Sequence, residues 1–468
     1  MDVHIDLAGT RGHRDAIYRQ LRAAILDGRI RPGEALPPTR ELAQRLAVSR
    51  TTVSAAYDRL TAEGFLAGRV GAGTFVTPSS LSRPALSSVS GVRPLPEWDA
   101  VPSPPAPFAP APEFDFRPGV PDLSLFPFDT WRRLVTQRLR AGQADLMTYG
   151  DPQGFAPLRE EIARHIGVSR DVRANAAQVV VTAGAQQTTD LVGRVLLRPG
   201  DVAAVEDPGY PPPRLVLAAR GVRVAPVPVD ASGIVVSAIP EEARLVYVTP
   251  SHQYPLGLSM SLERRLELLD WAERHDAVLV EDDYDTEFRY TGRPLEPLHS
   301  LDSRGRVVYV GSFSKVLSPA LRLGFLVAPP SLVPALVKAR YLTDWHAPNV
   351  EQAALAAFMA EGGFARHVRR MRKVYRERHE LLSSLLPGFD FLTPLPSSAG
   401  LHVSAVSTSD LSPLVRRARH AGVRLYSLGD FAVGERRHGL VFGYGAVATE
   451  RIGPGLARLR ALADGGAA

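Results

Sequence analysis

Ser312-Phe313-Ser314-Lys315, with Arg322 seven residues further on, is the stretch of this chain best equipped for chemistry. Upstream stands Glu281-Asp282-Asp283-Tyr284, directly after the apolar run Ala277-Val278-Leu279-Val280. An amine such as Lys315 condenses with a carbonyl once its pKa is lowered. Asp282, at the end of a strand, can keep a pyridine nitrogen protonated, and Tyr284 can donate to a ring oxygen. Ser312, Ser314 and the guanidinium of Arg322 suit a phosphate. These are the groups that pyridoxal phosphate (PLP) requires of a protein. A lone lysine after a strand is usually solvated; the neighbours of Lys315 set it apart. The acidic triplet by itself would also suit a cation, but the basic cluster downstream suits an anion better, so no metal is expected.

Two further pieces fit the same chemistry. Val181-Thr182-Ala183-Gly184-Ala185-Gln186-Gln187 reads as strand, glycine turn and helix start, which aims the amides of Gly184, Ala185 and Gln186 at an anion. Glu206-Asp207-Pro208-Gly209-Tyr210 ends another strand and offers the ring of Tyr210 for stacking on a planar ligand. Arg214, close to Tyr210, is a candidate anion ligand.

The elements that must position these groups are legible as apolar runs: Val179 to Val181, Val202 to Val205, Leu245 to Val248, Ala277 to Val280 and Val307 to Val310. Amphipathic segments such as Leu262 to Arg274 lie between them. This alternation predicts an α/β fold with a mostly parallel sheet and helices on both faces. Ligands of such sheets sit beyond the carboxyl ends of the strands, where Asp282 and Lys315 fall. At 468 residues the chain exceeds one small domain. No apolar run approaches the ~20 residues that span a bilayer, and the N-terminus has no secretory pattern. There is no cysteine, which excludes disulfides and thiolate metal sites. A cytoplasmic protein is the plain expectation.

Residues 1–78 carry a different pattern. Ile17, Leu21 and Ile25 mark an amphipathic helix, Leu42, Ala43 and Leu46 a second, and Val53, Tyr57 and Leu60 a third. Thr39 is the expected cap of the second helix and Ser49 of the third, with Gly64 closing it. Phe65-Leu66 and Thr74-Phe75-Val76, joined through Gly71-Ala72-Gly73, form an expected two-stranded wing. Helices around a tight turn followed by a wing read as a winged helix-turn-helix. Its third helix opens on Ser49-Arg50-Thr51-Thr52. Arg50 suits a guanine edge, and Ser49, Thr51 and Thr52 suit phosphates or bases. Arg40 is placed for the DNA backbone, Arg69 and Gly71 for an adjacent groove. Charge alone would not have found this module: the net charge is +6, and residues 1–78 hold eleven Arg against eight Asp or Glu. From residue 79 to 113 runs a segment rich in Pro, Ser and Ala, nine prolines falling between Pro84 and Pro112, which reads as a linker. The expected domains are therefore 1–78, a linker over 79–113, and 114–468.

Leu36-Pro37-Pro38-Thr39-Arg40-Glu41-Leu42-Ala43, Val48-Ser49-Arg50-Thr51-Thr52-Val53, Glu63-Gly64-Phe65 and Gly71 to Val76 resemble the GntR family of winged helix-turn-helix regulators. Residues from about 114 to 462 resemble fold-type-I PLP enzymes of the aspartate aminotransferase class, which implies a smaller C-terminal subdomain. That resemblance makes Lys315 the Schiff-base lysine, Asp282 and Tyr284 the partners of the ring nitrogen and ring oxygen, and Tyr210 the stacking ring. It gives the phosphate to Ser312, Ser314, Arg322 and the Gly184–Gln186 amides. Tyr149, in Thr148-Tyr149-Gly150-Asp151-Pro152, resembles the tyrosine lent to a neighbouring subunit's phosphate. Two departures stand out. Thr249 to Gly257 replaces the Asn-Pro-Thr-Gly of aminotransferases, with Tyr254 in place of Asn. Val441 falls where many relatives place the arginine for a substrate carboxylate; Arg436 and Arg437 lie nearby as candidates for that role.

Reader, linker and aminotransferase-like body in that order resemble the MocR/GabR family of PLP-dependent transcriptional regulators. The resemblance implies a head-to-tail homodimer that binds double-stranded DNA and responds to PLP or a small amino compound, with weak or no transamination. A working aminotransferase that carries a DNA reader is the alternative; a plain repressor with a cofactor-free body is a third.

Overall fold

The computed structural model describes residues 5–7, 12–69, 71–78, 93–95, 98–99, 101–103, 112–292, 296–434 and 437–465. Most of the expected linker, and Arg436, lie outside the described residues. The chain forms two compact units, Met1–Pro96 and Glu97–Ala468.

In the first unit, α1 (His13–Leu26), α2 (Thr39–Arg45) and α3 (Arg50–Ala62) precede an antiparallel pair, β1 (Leu66–Arg69) and β2 (Gly73–Val76), in register Leu66 to Val76. Ile17, Leu21, Ile25, Leu42, Val53, Tyr57, Leu60, Leu66 and Val76 close one core, each fully buried aliphatic side chain contributing roughly 1.5–3 kcal/mol. The Tyr57 hydroxyl donates to the Pro37 carbonyl at 2.8 Å, tying α3 to the entry of α2. Ala47 adopts a left-handed conformation in the turn between them. Two expectations are corrected. Pro38, not Thr39, caps α2; Thr39 is already helical. Phe65 precedes the wing strand rather than opening it. Ser49 caps α3 as expected, its Oγ accepting from the Thr52 amide at 3.1 Å.

The second unit is built on an eight-stranded sheet. Its members are β4 (Val179–Thr182), β5 (Val202–Asp207), β6 (Arg223–Asp230), β7 (Gly233–Ile234), β8 (Ala243–Val248), β9 (Val278–Asp282), β10 (Val307–Ser312) and β11 (Gly324–Val327), in the order β4-β11-β10-β9-β8-β5-β6-β7. The central run β10-β9-β8-β5-β6 is parallel; β11 is antiparallel to both its neighbours, as is β7 to β6. Because helices cover both faces, the strand interiors are almost wholly Val, Leu and Ala. β3 (Phe114–Asp115) pairs in parallel with a late strand at Val423–Arg424. The start of this unit is thereby joined to its end. A four-stranded antiparallel sheet after Thr393 makes the smaller C-terminal layer. The carboxyl ends of β4, β5, β8, β9 and β10 gather Thr182, Asp207, Thr249, Asp282 and Ser312 on one rim of the sheet.

Candidate functional site

At that rim lies a cleft of about 520 Å³, partly open to solvent, lined by Pro118, Gly119, Ala185, Tyr210, Thr249, Tyr254, Asp282, Tyr284, Ser312 and Lys315. Lys315 stands three residues beyond β10. Its Nζ donates to the Gly119 carbonyl at 2.8 Å. Burial pushes its amine down from the ordinary lysine range, against the pull of Asp282 and Asp285, and Arg322 adds to the lowering. A larger share of free amine at neutral pH is what a carbonyl ligand needs.

The acidic triplet is sorted by strand alternation. Glu281 and Asp283 point away from the cleft, Asp282 into it. Glu281 accepts from the amides of Leu298 and His299, both at 2.9 Å. Asp283 accepts from Arg170 Nε at 2.8 Å and from the Tyr309 hydroxyl at 2.6 Å. Asp282, at 3% exposure, takes the hydroxyl of Tyr247 on its Oδ2. Its Oδ1 is buried with no hydrogen-bond partner among the described residues. Burial, reinforced by Asp283, pushes Asp282 up to about 7, although the Tyr247 hydrogen bond and Lys315 oppose the shift. A buried carboxylate oxygen without a donor, beside a low-pKa amine, fits a protonated pyridine nitrogen and a carbonyl on one planar ligand. The residues present thus fit PLP.

The rest of the cleft is aromatic. Tyr210 caps the helix Pro211–Ala218 and meets Tyr254 edge to face at 5.5 Å between ring centroids. Burial, then the negative charge of Asp282, pushes the Tyr210 phenol up to about 12, so it stays a neutral ring. Glu206 fastens the wall behind it, accepting from the Thr249 hydroxyl at 2.6 Å and from Gln253 Nε2 at 3.3 Å.

At the far end, Gly184 stands before the helix Ala185–Leu196 at φ +102°, and a Cβ on Gly324 would meet its Cα at 2.8 Å, so strand and helix start touch through bare backbone. The Gly184 amide donates to Thr182 Oγ1 at 3.3 Å, which corrects its place among the anion-facing amides. The amides of Ala185 and Gln186 lie in the first turn, where the helix has no acceptor to offer. Ser312 Oγ accepts from the Ser314 amide at 3.1 Å. Arg322 sits at φ +50° after the short helix Pro319–Leu321, and no carboxylate pairs with it among the described residues.

Gly184, Gln186, Ser314 and Arg322 flank the cleft without lining it, and Tyr149, Arg214 and Arg437 do not line it either. Tyr149 is 73% exposed and stacks on Trp345 at 4.3 Å. Arg214 lies on the helix after Tyr210. Arg437 Nη2 donates to the Val229 carbonyl at 2.6 Å. Val441 is buried among Leu256, Leu428 and Val229.

In the first unit, Arg40, Ser49, Arg50, Thr51 and Arg69 are exposed, and Thr52 is half-buried. Ser49 Oγ lies 2.7 Å from the hydroxyls of both Thr51 and Thr52. Arg69 lies over the Phe75 ring at 4.7 Å, and Gly71 turns the wing at φ +76°. The hydroxyl cluster and Arg50 thus share the exposed N-terminus of α3.

Tyr247, Gly119 and the network around Arg170 escaped the sequence. Tyr247 hides inside an apolar strand run; only its register beside Val280 of β9 places its hydroxyl near Asp282.

Residues 13–76 match the model of bacterial regulatory proteins of the gntR family, and residues 120–408 that of aminotransferases of class I and II. The chain is 37% identical to a probable rhizopine catabolism regulatory protein MocR of Rhizobium meliloti, over 96% of this chain and 93% of that protein. It is 33% identical to the HTH-type pyridoxine biosynthesis transcriptional regulator PdxR of Corynebacterium glutamicum, over 92% of this chain and 91% of that protein. An α-aminoadipate aminotransferase of Thermus thermophilus, solved with N-(5'-phosphopyridoxyl)-L-leucine, superposes with a TM-score of 0.69 at 31% identity, over 75% of this chain and 92% of that one.

Proposed function

This chain belongs to the MocR/GabR family of DNA-binding transcriptional regulators, and from that premise we propose that its cleft holds PLP and couples occupancy there to operator binding. Asp282 Oδ1 carries the reading: a buried acceptor with no donor among the described residues, in one cleft with the amine of Lys315. Bound PLP supplies an electrophilic carbonyl and an electron-withdrawing ring. Lys315 presents its amine to the carbonyl, Asp282 holds the proton of the ring nitrogen, Tyr284 faces the ring oxygen and Tyr210 covers the ring. Ser312, Ser314, Arg322 and the amides of Ala185 and Gln186 take the phosphate.

The DNA reader, over residues 1–78, contacts an operator through Arg40, Ser49, Arg50, Thr51, Thr52, Arg69 and Gly71, and residues 79–113 link it to the body at 114–468. Two chains form a head-to-tail dimer in the cytoplasm, in which the exposed Tyr149 reaches the partner's phosphate. A small amine, or PLP itself, shifts operator affinity only to the extent that it prefers one arrangement of the dimer. With Val441 in an apolar cluster where a substrate-binding arginine would stand, sustained transamination of an α-amino acid is not expected.

Two measurements test this. Purified protein given PLP should gain a visible absorbance band that Lys315→Ala lacks. Operator affinity, measured by footprinting with and without PLP and amines, should change with at least one of them. A colourless protein, or an affinity indifferent to all of them, refutes the proposal.

A further inference from the structure

Beside the cleft lies a buried polar chain that the cofactor contacts above leave unused. The Tyr284 hydroxyl donates to the His252 carbonyl at 2.9 Å and lies 3.1 Å from His252 Nδ1. Nδ1 in turn lies 2.9 Å from Asp285 Oδ2. His252 is 2% exposed and Asp285 1%. A carboxylate can only accept, so the Nδ1 side of the imidazole carries the proton between them. The pair has no room to turn. A Cβ on Gly400, at φ +83°, would fall on the His252 ring and within 2.6 Å of Asp285 Oδ2. His402 packs behind, its ring 4.6 Å from that of His252, its Nε2 3.0 Å from the Pro255 carbonyl. His252 Nε2 and Asp285 Oδ1 are buried with no hydrogen-bond partner among the described residues. Stability alone does not account for such a pair, because an apolar pair would avoid two unsatisfied atoms.

We infer that His252 and Asp285 are positioning residues that set which way the Tyr284 hydroxyl donates. This rests on the PLP reading above. A phenol has one proton. Here that proton goes to the His252 carbonyl. To donate to a ligand's ring oxygen instead, Tyr284 must release that carbonyl, and a donor to its own oxygen then fixes it in the new orientation. Nδ1–H, held by Asp285 Oδ2 at 2.9 Å, lies 3.1 Å from the phenol oxygen and can be shared between the two acceptors. Asp285 holds the imidazole so that Nδ1, rather than Nε2, faces the phenol. No proton changes hands; the phenol trades one acceptor for another, while Nδ1–H stays on Asp285 and is shared with the phenol oxygen. His252 lies within the Thr249–Gly257 segment that departs from the aminotransferase pattern, which gives that departure a purpose.

The test uses the full chain with PLP, reading the visible band and the PLP dissociation constant, with melting temperature as control. His252→Gln places its amide where Nε2 was and removes the Nδ1 donor; His252→Asn returns an N–H near the place of Nδ1. The Gln variant and Asp285→Asn should shift the band and bind PLP about tenfold more weakly, the scale of one lost hydrogen bond. His252→Asn should recover most of the loss. Adding His252→Gln to Tyr284→Phe should cost nothing beyond Tyr284→Phe alone, since the two act through one bond. A Gln variant with wild-type band and affinity overturns the inference while leaving PLP binding intact. Additive losses, or no recovery with Asn, overturn it as well. A wild-type band that moves after dialysis against a chelator assigns His252, Asp285 and His402 to a metal ion instead. A colourless wild type sinks both readings together.

Discussion

Asp282 owes its orientation to Tyr247. The phenol occupies Oδ2 and leaves Oδ1 to the cleft, and it also restrains the rise in pKa that burial imposes. Glu206 and Glu281 are likewise pushed up to about 7, chiefly by burial. A carboxyl group whose pKa is raised on folding binds more protons folded than unfolded, so stability falls as pH rises from the ordinary carboxylate range through about 7. Without PLP the protein should therefore lose stability between pH 5 and pH 8. Tyr247→Phe strips Oδ2 of its partner and lets the Asp282 pKa climb further. It should cost about 1–3 kcal/mol, more at pH 8 than at pH 6, in urea titrations at the two pH values. An equal loss at both would show that Asp282 is not the group responding. Lys315 and Asp282 were legible in the sequence because each follows an apolar run, and strand ends are where such sheets place ligands. Tyr247 was not, because a tyrosine within Leu245-Val246-Tyr247-Val248 looks like core; its hydroxyl has meaning only across the sheet. His252 and Asp285 were missed for a similar reason: they are 33 residues apart, and no local spacing joins them.

At the scale of elements, the hydroxyls at the start of α3 carry two duties. Ser49 closes the helix through the Thr52 amide and stands among the groups proposed to touch DNA. Ser49→Ala should lower the stability of the reader by about 1 kcal/mol and weaken operator binding. Arg50→Ala, exposed and making no cap, should leave stability unchanged and cost about 1–3 kcal/mol of operator affinity. Thermal melts paired with binding titrations separate the two; a stability loss in Arg50→Ala would remove the distinction. The helices and their inward faces were readable from the spacing of Ile17, Leu21, Ile25, Val53, Tyr57 and Leu60. The start of α2 was not: Pro38 takes the cap by fixing its own backbone, so Thr39, with the better capping side chain, becomes the first helical residue. The Gly184 turn was found, but its amide turned inward to Thr182, a side chain two residues back.

For the whole molecule, the coupling proposed between cleft and reader must be reciprocal. If an amine tightens operator binding by some factor, operator must tighten amine binding by the same factor. Calorimetric titration of the amine into the protein, with and without operator DNA, should return the factor that footprinting gives; a mismatch would place the amine's effect outside a linked equilibrium. The two-unit architecture was visible in the sequence through the proline-rich stretch and the change from helix-turn-helix spacing to alternating strands and helices. How the chain re-enters the large unit was not. Phe114 and Asp115 pair with Val423 and Arg424, more than three hundred residues away, and Gly119 follows at the lip of the cleft.

That last contact has a mechanical side. The carbonyl of Gly119 is moored to the amine of Lys315, only four residues beyond the strand Phe114–Asp115. Whatever claims the lysine sets that carbonyl loose, and the strand that stitches the front of the large unit to its back is the next neighbour along the chain.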